Sequence, residues 1–405
     1  MPSRRTFLLS SGLTAAMSRS ATGANDRIRM GVLGTGTRGS YMATVLAPNA
    51  DCEIVAMCDV YKRNLDQAAA KLEAKVETYP DYRRVLERKD IDAVFIATPD
   101  HWHGPLTIQA CEAGKDVYVE KPVSNSIEVG WKMIEAAQKY KRVVQVGLQQ
   151  RSWDHFQQCV KMVQDGKFGT IFHAGLHWNG HYTRPVEQPQ EPPADLDWEL
   201  FQGPAPHVPY TPGRQRSWRS FYDYGGGIIT DQGVHIGDVV HWALNVREPR
   251  TVSASAQYVT VQRPERDQPP DSFVITWQYD RFVMSFTNAY MPIPEFDNTQ
   301  GNYFFGTLGT LHVNRVSYTL RPLPQRGGQP GAPFEAVNQM FRYVGGPSDA
   351  AHVRNFLDCV KSRQKPLTDI ETGFYSSLPL LLGVLAVRYG KTYTWNGKEA
   401  IAVSA

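Results

Sequence analysis

The chain has 405 residues, room for two or three domains with sizeable cores. Its 42% apolar and 20% charged residues are those of a globular protein, and a net charge of +3 without a basic block excludes an extended nucleic-acid surface. The five cysteines, Cys52, Cys58, Cys111, Cys159 and Cys359, are scattered and form no Cys-x-x-Cys pair, which excludes a disulfide framework or a zinc knuckle. In chain order, residues 1–24 are expected to be a twin-arginine export signal that delivers the protein to a periplasm. Ser3-Arg4-Arg5-Thr6-Phe7-Leu8 opens it, an apolar run reaches Met17, and Ala21, Gly23 and Ala24 offer a cleavage site. That run is too short to cross a bilayer, so no stable membrane anchor is expected. Such export moves folded proteins, which suits unpaired cysteines and a cofactor loaded beforehand.

Residues 27–150 read as a first domain. A strand over Ile28–Leu33 runs into Gly34-Thr35-Gly36-Thr37-Arg38-Gly39, a complete G-x-G-x-x-G, and a helix to about Leu46. A buried strand over 53–58 ends in Asp59, about twenty residues beyond the last glycine. In that order these elements form a dinucleotide fingerprint. The glycines let the backbone approach a pyrophosphate, and Asp59 accepts hydrogen bonds from a ribose, which favours NAD over NADP. Lys62 and Arg63 keep NADP as the lesser option. The alternation continues with a helix over 65–74 and a strand over 93–98 leading into Pro99-Asp100-His101-Trp102-His103. A helix over 106–113, the strand Val117-Tyr118-Val119 ending in Glu120-Lys121-Pro122, a helix over 126–140 and a strand over 143–148 complete it. Strands separated by helices imply a doubly wound parallel sheet, an α/β fold.

Residues 151–405 read as a second domain with a large open sheet, mostly antiparallel or mixed. It begins with a helix over 153–164 and a strand over 171–179. A Pro- and Trp-rich connection over 180–220 is long enough to be functional. Strands are expected near 252–261, 273–279, 282–289 and 303–313, and helices over 352–361 and 375–388. His173, His177 and His181 invite a metal reading, but no cysteine or acid supports them and no metal is expected. Of Trp178, Tyr182, Trp198, Trp218, Phe221 and Tyr222, some are core and some are expected to line a sugar site.

Taken together, Gly34 to Gly39, Thr98-Pro99 before His101 to His103, Glu120-Lys121-Pro122, and Asp231 four residues before His235 resemble the Gfo/Idh/MocA oxidoreductases. The resemblance spans the chain from about Ile28 onward. It implies a Rossmann domain followed by an α/β domain, a homo-oligomer (dimer or tetramer) assembled through the open sheet, and a cis bond between Lys121 and Pro122. The implied substrate is a small sugar, polyol or glycoside. Residues expected along the cofactor are Gly34, Thr35, Gly36, Arg38, Gly39, Asp59, Thr98, Pro99, His101, His103, Glu120, Lys121 and Gln149. Oxidising a carbinol needs a base for the hydroxyl proton and a group for the developing oxyanion. Asp231 and His235, four apart, share a face if they lie on one helix. His235 is then the general acid/base, Asp231 its orienter and a substrate contact, and Lys121 the group holding the reacting oxygen.

An exported dehydrogenase has no free NAD pool to exchange with, so the cofactor is expected to be tightly bound and regenerated in place. The leading expectation is a nicotinamide-dependent oxidoreductase of sugars or polyols. The alternative is a redox-neutral NAD-dependent glycoside hydrolase, although the related glycosidase branch does not keep the lysine that stands here at Lys121. The third is a non-catalytic sugar-binding protein.

Overall fold

The computed structural model describes residues 27–72, 75–261, 267–288, 300–324, 331–341 and 345–403. The expected export signal lies outside them, as do the last two residues of the helix expected over 65–74 and Ala289. Alternation in the first half produces β1 (Ile28–Leu33), α1 (Thr37–Leu46), β2 (Cys52–Cys58), α2 (Lys62–Ala69), β3 (Glu77–Tyr79), α3 (Tyr82–Leu86), β4 (Ala93–Ile96), α4 (Asp100–Glu112), β5 (Asp116–Val119), α5 (Ile127–Lys139) and β6 (Val144–Val146). The six strands are all parallel, in the order β3-β2-β1-β4-β5-β6. Buried on both faces, β4 and β5 have every residue in the interior, which is why their sequences run apolar without alternation. The winding reverses between β1 and β4, and the crevice for a ligand opens beyond the carboxyl ends of these strands.

One boundary differs in a way that matters. Helix α4 starts at Asp100, six residues before the expected start, and carries Pro105 inside it. Proline is usually read as a first-turn residue, so a helix was expected only after it. His101, Trp102 and His103 therefore sit on the first turn of a helix.

The second half holds α6 (Asp154–Gln164), β7 (Ile171–His177), α7 (Trp198–Gln202), α8 (Pro212–Arg216), α9 (Gly227–Asp231), α10 (Gly233–Leu244), β8 (Thr251–Gln257), β9 (Ser272–Gln278), β10 (Val283–Thr287), β11 (Gly301–Gly306), β12 (Gly309–Val313), β13 (Ser317–Pro322), β14 (Val337–Met340), α11 (Gly345–Ser362), α12 (Ile370–Tyr389), β15 (Tyr393–Trp395) and β16 (Ala400–Ala402). Ten strands form one mixed sheet, antiparallel except for the parallel β7–β10 pair. Along β9, Phe273, Ile275 and Trp277 are buried while Ser272, Val274 and Gln278 are exposed, the period-two pattern of a sheet with one covered face. Helices α10 and α12 pack against the sheet. Helix α12 is long and apolar enough to cross a membrane by length and composition, but two-thirds of its apolar window is buried inside this fold. Helix α11, far along the chain, returns to the first sheet. Its Val353, Phe356, Leu357 and Val360 share a core with Ile28, Met30 and Val32 of β1.

Candidate active site

The glycine fingerprint forms the turn from β1 into α1. Gly34 has φ +85°, and a Cβ on Gly39 would lie 1.9 Å from the Gly34 carbonyl oxygen, so neither position admits a side chain. Gly36 is the N-cap of α1 and offers no side-chain cap, leaving the first backbone N–H groups of the helix for an anion. A Cβ there would meet no heavy atom closer than 4.0 Å, so this face of the turn is open. These features fit a dinucleotide pyrophosphate. Buried polar atoms without a hydrogen-bond partner, Thr98 Oγ1 and Gln149 Oε1, belong to residues lining the same cavity and fit the polar remainder of the cofactor.

Asp59 lies where a ribose contact is expected, yet its carboxylate also organises the turn. It accepts from Thr35 N at 2.7 Å and Tyr61 N at 2.9 Å. Burial pushes its pKa up, against the pull of these donors. Arg38 donates through Nε to Glu120 at 2.7 Å and through its terminal nitrogens to Asp349 at 3.2 and 3.5 Å. Burial works to lower its pKa, but Glu120 and Asp349 carry it above the ordinary range. Both Arg38 and Glu120, expected along the cofactor, are thus engaged in an ion-pair network. Asp349 escaped the sequence reading because it lies 311 residues from its partner.

At the carboxyl end of β5 the Lys121–Pro122 bond is cis. Lys121 Nζ donates to the Asp231 carbonyl at 2.8 Å and to Asp231 Oδ1 at 2.6 Å, with both side chains buried. Arg219 Nε donates to the same oxygen at 3.0 Å, while Tyr182 and Gln232 donate to Oδ2 at 2.6 and 2.9 Å. Burial pushes the Asp231 carboxyl up, but Lys121 and Arg219 more than reverse this and hold it well below the usual carboxylate range. The expected Asp231–His235 contact is not formed. The helix breaks at Gln232, placing Asp231 at the end of α9 and His235 in α10, and the aspartate's oxygens are taken by four other donors. His235 is buried, its Nδ1 has no hydrogen-bond partner among the described residues, and burial followed by Lys121 and Arg315 holds its pKa well below the ordinary value. Its ring is therefore neutral.

The histidines of α4 behave differently from expectation. His101 turns away from the cavity and donates from Nε2 to the Phe201 carbonyl at 2.9 Å. His103 lines the cavity, but its ring nitrogens face backbone carbonyls, Nδ1 to Pro122 at 2.7 Å and Nε2 to Thr98 at 2.9 Å. Burial lowers each to about 4, so the rings are neutral and His103 donates to only one of its two carbonyls. It braces the ends of β4 and β5 from the cavity wall. Asp100, which the sequence reading passed over, lines the cavity instead. It is 3% exposed and makes no hydrogen bond or ion pair with a described residue. Burial pushes its carboxyl up to about 8, against Arg219 and Lys121.

The long connection over 180–220 is a strap across the crevice. Leu196 bridges Tyr61, Asp197 N donates to the Val60 carbonyl and Lys62 N to the Asp195 carbonyl, both at 2.9 Å. Further on, His101 and Trp102 both donate to the Phe201 carbonyl. Trp198, Phe201, Tyr210, Phe221 and Tyr224 give the strap a core of its own. Of the aromatics singled out in the sequence, Trp218 lines the cavity, Tyr182 binds Asp231, Trp198 and Phe221 are strap core, and Trp178 and Tyr222 stack on Arg315 and Arg388. The cavity measures about 1070 Å³ and runs from Gly34 and Asp59 to Lys121, Asp231 and His235. His173 bonds Ser285 at 2.8 Å, His181 bonds Thr260 at 3.3 Å, and no group of three or more potential metal ligands occurs among the described residues.

A glycine cradle at one end of a cavity and a lysine–aspartate pair at the other define a two-domain dinucleotide-binding protein. The model of the oxidoreductase family with an NAD-binding Rossmann fold matches residues 28–148, and that of the GFO/IDH/MocA C-terminal domain matches residues 156–312. The chain belongs to the GFO/IDH/MocA oxidoreductase family. It is 25% identical to the scyllo-inositol 2-dehydrogenase (NAD(+)) of Bacillus subtilis (strain 168) over 370 residues, 89% of this chain and 93% of that protein. It is also 29% identical over 156 residues, 36% of this chain, to a glycosyl hydrolase family 109 protein of Shewanella sp. (strain W3-18-1). That match spans about a third of the relative's length, 34%. The WlbA dehydrogenase from Bordetella pertussis, solved in complex with NADH and UDP-GlcNAcA, shares the fold with a TM-score of 0.66 at 21% identity, over 91% of this chain and 99% of that one.

Proposed function

We propose that the protein is an oxidoreductase acting on the CH–OH of a sugar or polyol, with NAD firmly held beneath the strap. The observation that carries this reading is the buried Lys121–Asp231 pair, set beside His235 in the same cavity as the glycine cradle. When bound, NAD supplies the hydride acceptor. Lys121, its ammonium aimed by Asp231, hydrogen-bonds the reacting oxygen and stabilises the charge it develops. His235, a neutral ring lining the cavity, exchanges the hydroxyl proton. Asp231, saturated by four donors, positions Lys121 rather than orienting His235. The B. subtilis relative, matched over nearly its whole length, is an inositol dehydrogenase by name, which supports a polyol or sugar as substrate.

The glycosyl hydrolase relatives favour a second reading, a redox-neutral glycosidase, through their likeness to the dinucleotide-binding half. Incubation with aryl glycosides decides between the two: aglycone release without net NADH would establish the second. Protein denatured after purification is expected to release NAD(H), and the absence of any nucleotide, together with no binding on addition, would leave only a sugar-binding role. Lys121→Ala and His235→Ala are expected to abolish turnover while retaining the nucleotide; near-wild-type activity in either would remove that residue from the mechanism. We further propose export through the twin-arginine segment and a dimer or tetramer. Val274 and Val283, exposed on the large sheet, support the latter. Cell fractionation and light scattering test these two points.

A further inference from the structure

We propose that the substrate is an acidic sugar whose carboxylate is received by Arg219, with Arg216 beside it on the strap. This rests on the oxidoreductase reading and names the substrate class of the same site.

Asp231 Oδ1 accepts from both Lys121 and Arg219, so two cations share one carboxylate. Asp100 lines the same end of the cavity, buried and without a partner, and with its carboxyl at about 8 it is mainly uncharged at neutral pH. Arg216 also lines the cavity, exposed to it, and forms no ion pair with a described residue. Glu120 and Asp349, also on the cavity, are engaged by Arg38, so Asp231 is the carboxylate that Lys121 and Arg219 share, and Arg216 stands beside them. The pyrophosphate cradle at Gly34 to Gly39 lies at the opposite end and does not draw on this surplus.

Geometry selects Arg219 as the receiving group. Its guanidinium lies over the Trp218 ring, 4.1 Å from the centroid, and its Nε is fixed by Asp231. Its terminal nitrogens make no hydrogen bond with any described residue. A guanidinium held at its Nε and stacked on an aromatic face presents its terminal N–H groups in a set plane, the arrangement that matches the two oxygens of a carboxylate. A uronate carboxylate would meet these donors with charge, where a neutral sugar would leave them to solvent.

The test is calorimetric titration of holoenzyme whose nucleotide content has first been measured, with D-glucuronate, D-galacturonate, D-glucose, D-galactose and glucose 6-phosphate. Each uronate is expected to bind roughly tenfold or more tightly than its neutral counterpart, the worth of a charge-assisted hydrogen bond. That preference should fall to within about twofold in Arg219→Gln and partly in Arg216→Gln. Arg216 is exposed, so its variant keeps the test valid where Arg219→Gln loses its fold. Neutral sugars binding as well as the uronates, no uronate binding, or tighter binding of the sugar phosphate would each overturn the proposal. If nucleotide is present in that same sample, the oxidoreductase reading survives such a result; if nucleotide is absent, it is that reading that fails.

Discussion

A buried carboxyl with no hydrogen-bond partner among the described residues is expensive for a fold, and Asp100 is one. Its folded pKa of about 8 lies above the ordinary carboxyl value of 3.8, so the folded chain holds this proton more tightly than the unfolded chain. Any stabilisation this confers is complete below pH 4 and is lost as pH rises toward 8. Asp100→Asn removes the dependence. The variant is expected to melt higher than wild type at pH 7, by the equivalent of a few kcal/mol, roughly, with the gap closing near pH 4. Equal melting temperatures at pH 7 would show that Asp100 is ionised and compensated. Above pH 8 the ionised Asp100 competes with a substrate carboxylate for Arg219, so uronate affinity should fall there in wild type and hold in the variant. Asp100 was invisible in the sequence because spacing shows which residues follow a strand end and cannot show which of them lack partners. Lys121 was legible only through its surroundings: alone, a charged pair and a proline after an apolar strand read as surface, and the glycine fingerprint upstream with the resemblance of Glu120-Lys121-Pro122 to the family motif marked it as part of the site.

The strap is the element that spacing described least. It has no hydrophobic period, and its helices α7 and α8 are one turn each, stabilised by Asp197 and Thr211 capping their N-termini and by the aromatic core. Its length alone marked it as functional. The strap is pinned to Trp102 at Gly203, where φ is +51° and a Cβ would come within 2.0 Å of the indole. Gly203→Ala is therefore expected to push the strap off α4, costing about 1–3 kcal/mol in stability. Bound nucleotide should then be lost about tenfold faster during gel filtration, with its identity unchanged. Retention equal to wild type would mean the strap does not hold the cofactor. The break at Gln232 was equally hidden. Asp-x-x-x-His matches the period of a continuous helix, and only the competing donors around Asp231 show why the two residues part.

At the scale of the molecule, the parallel sheet was readable because five of its six strands carry an apolar run bounded by helices; β3, the exposed Glu-Thr-Tyr at the edge, carries none and was not read, and β14 to β16 are likewise short and largely unburied. What local pattern could not reveal is that α11 belongs with β1. Besides its shared core, Arg354 binds Asp51 at 2.7 and 2.9 Å, and the His352 carbonyl accepts from Gln145 at 2.8 Å. The nucleotide-binding half is thus assembled from both ends of the described chain. Synthesis from the N-terminus cannot close it until α11, up to Ser362, has left the ribosome, and until then an apolar face of β1 and β2 lacks this cover. A chain ending at residue 340 is expected to aggregate and to bind no NAD. In refolding followed by pulsed hydrogen exchange, amides of β1 and α11 should gain protection in the same phase. Cofactor capture would then report a chain extended through α11, so the nucleotide acts as a seal on each molecule in which that helix has reached β1.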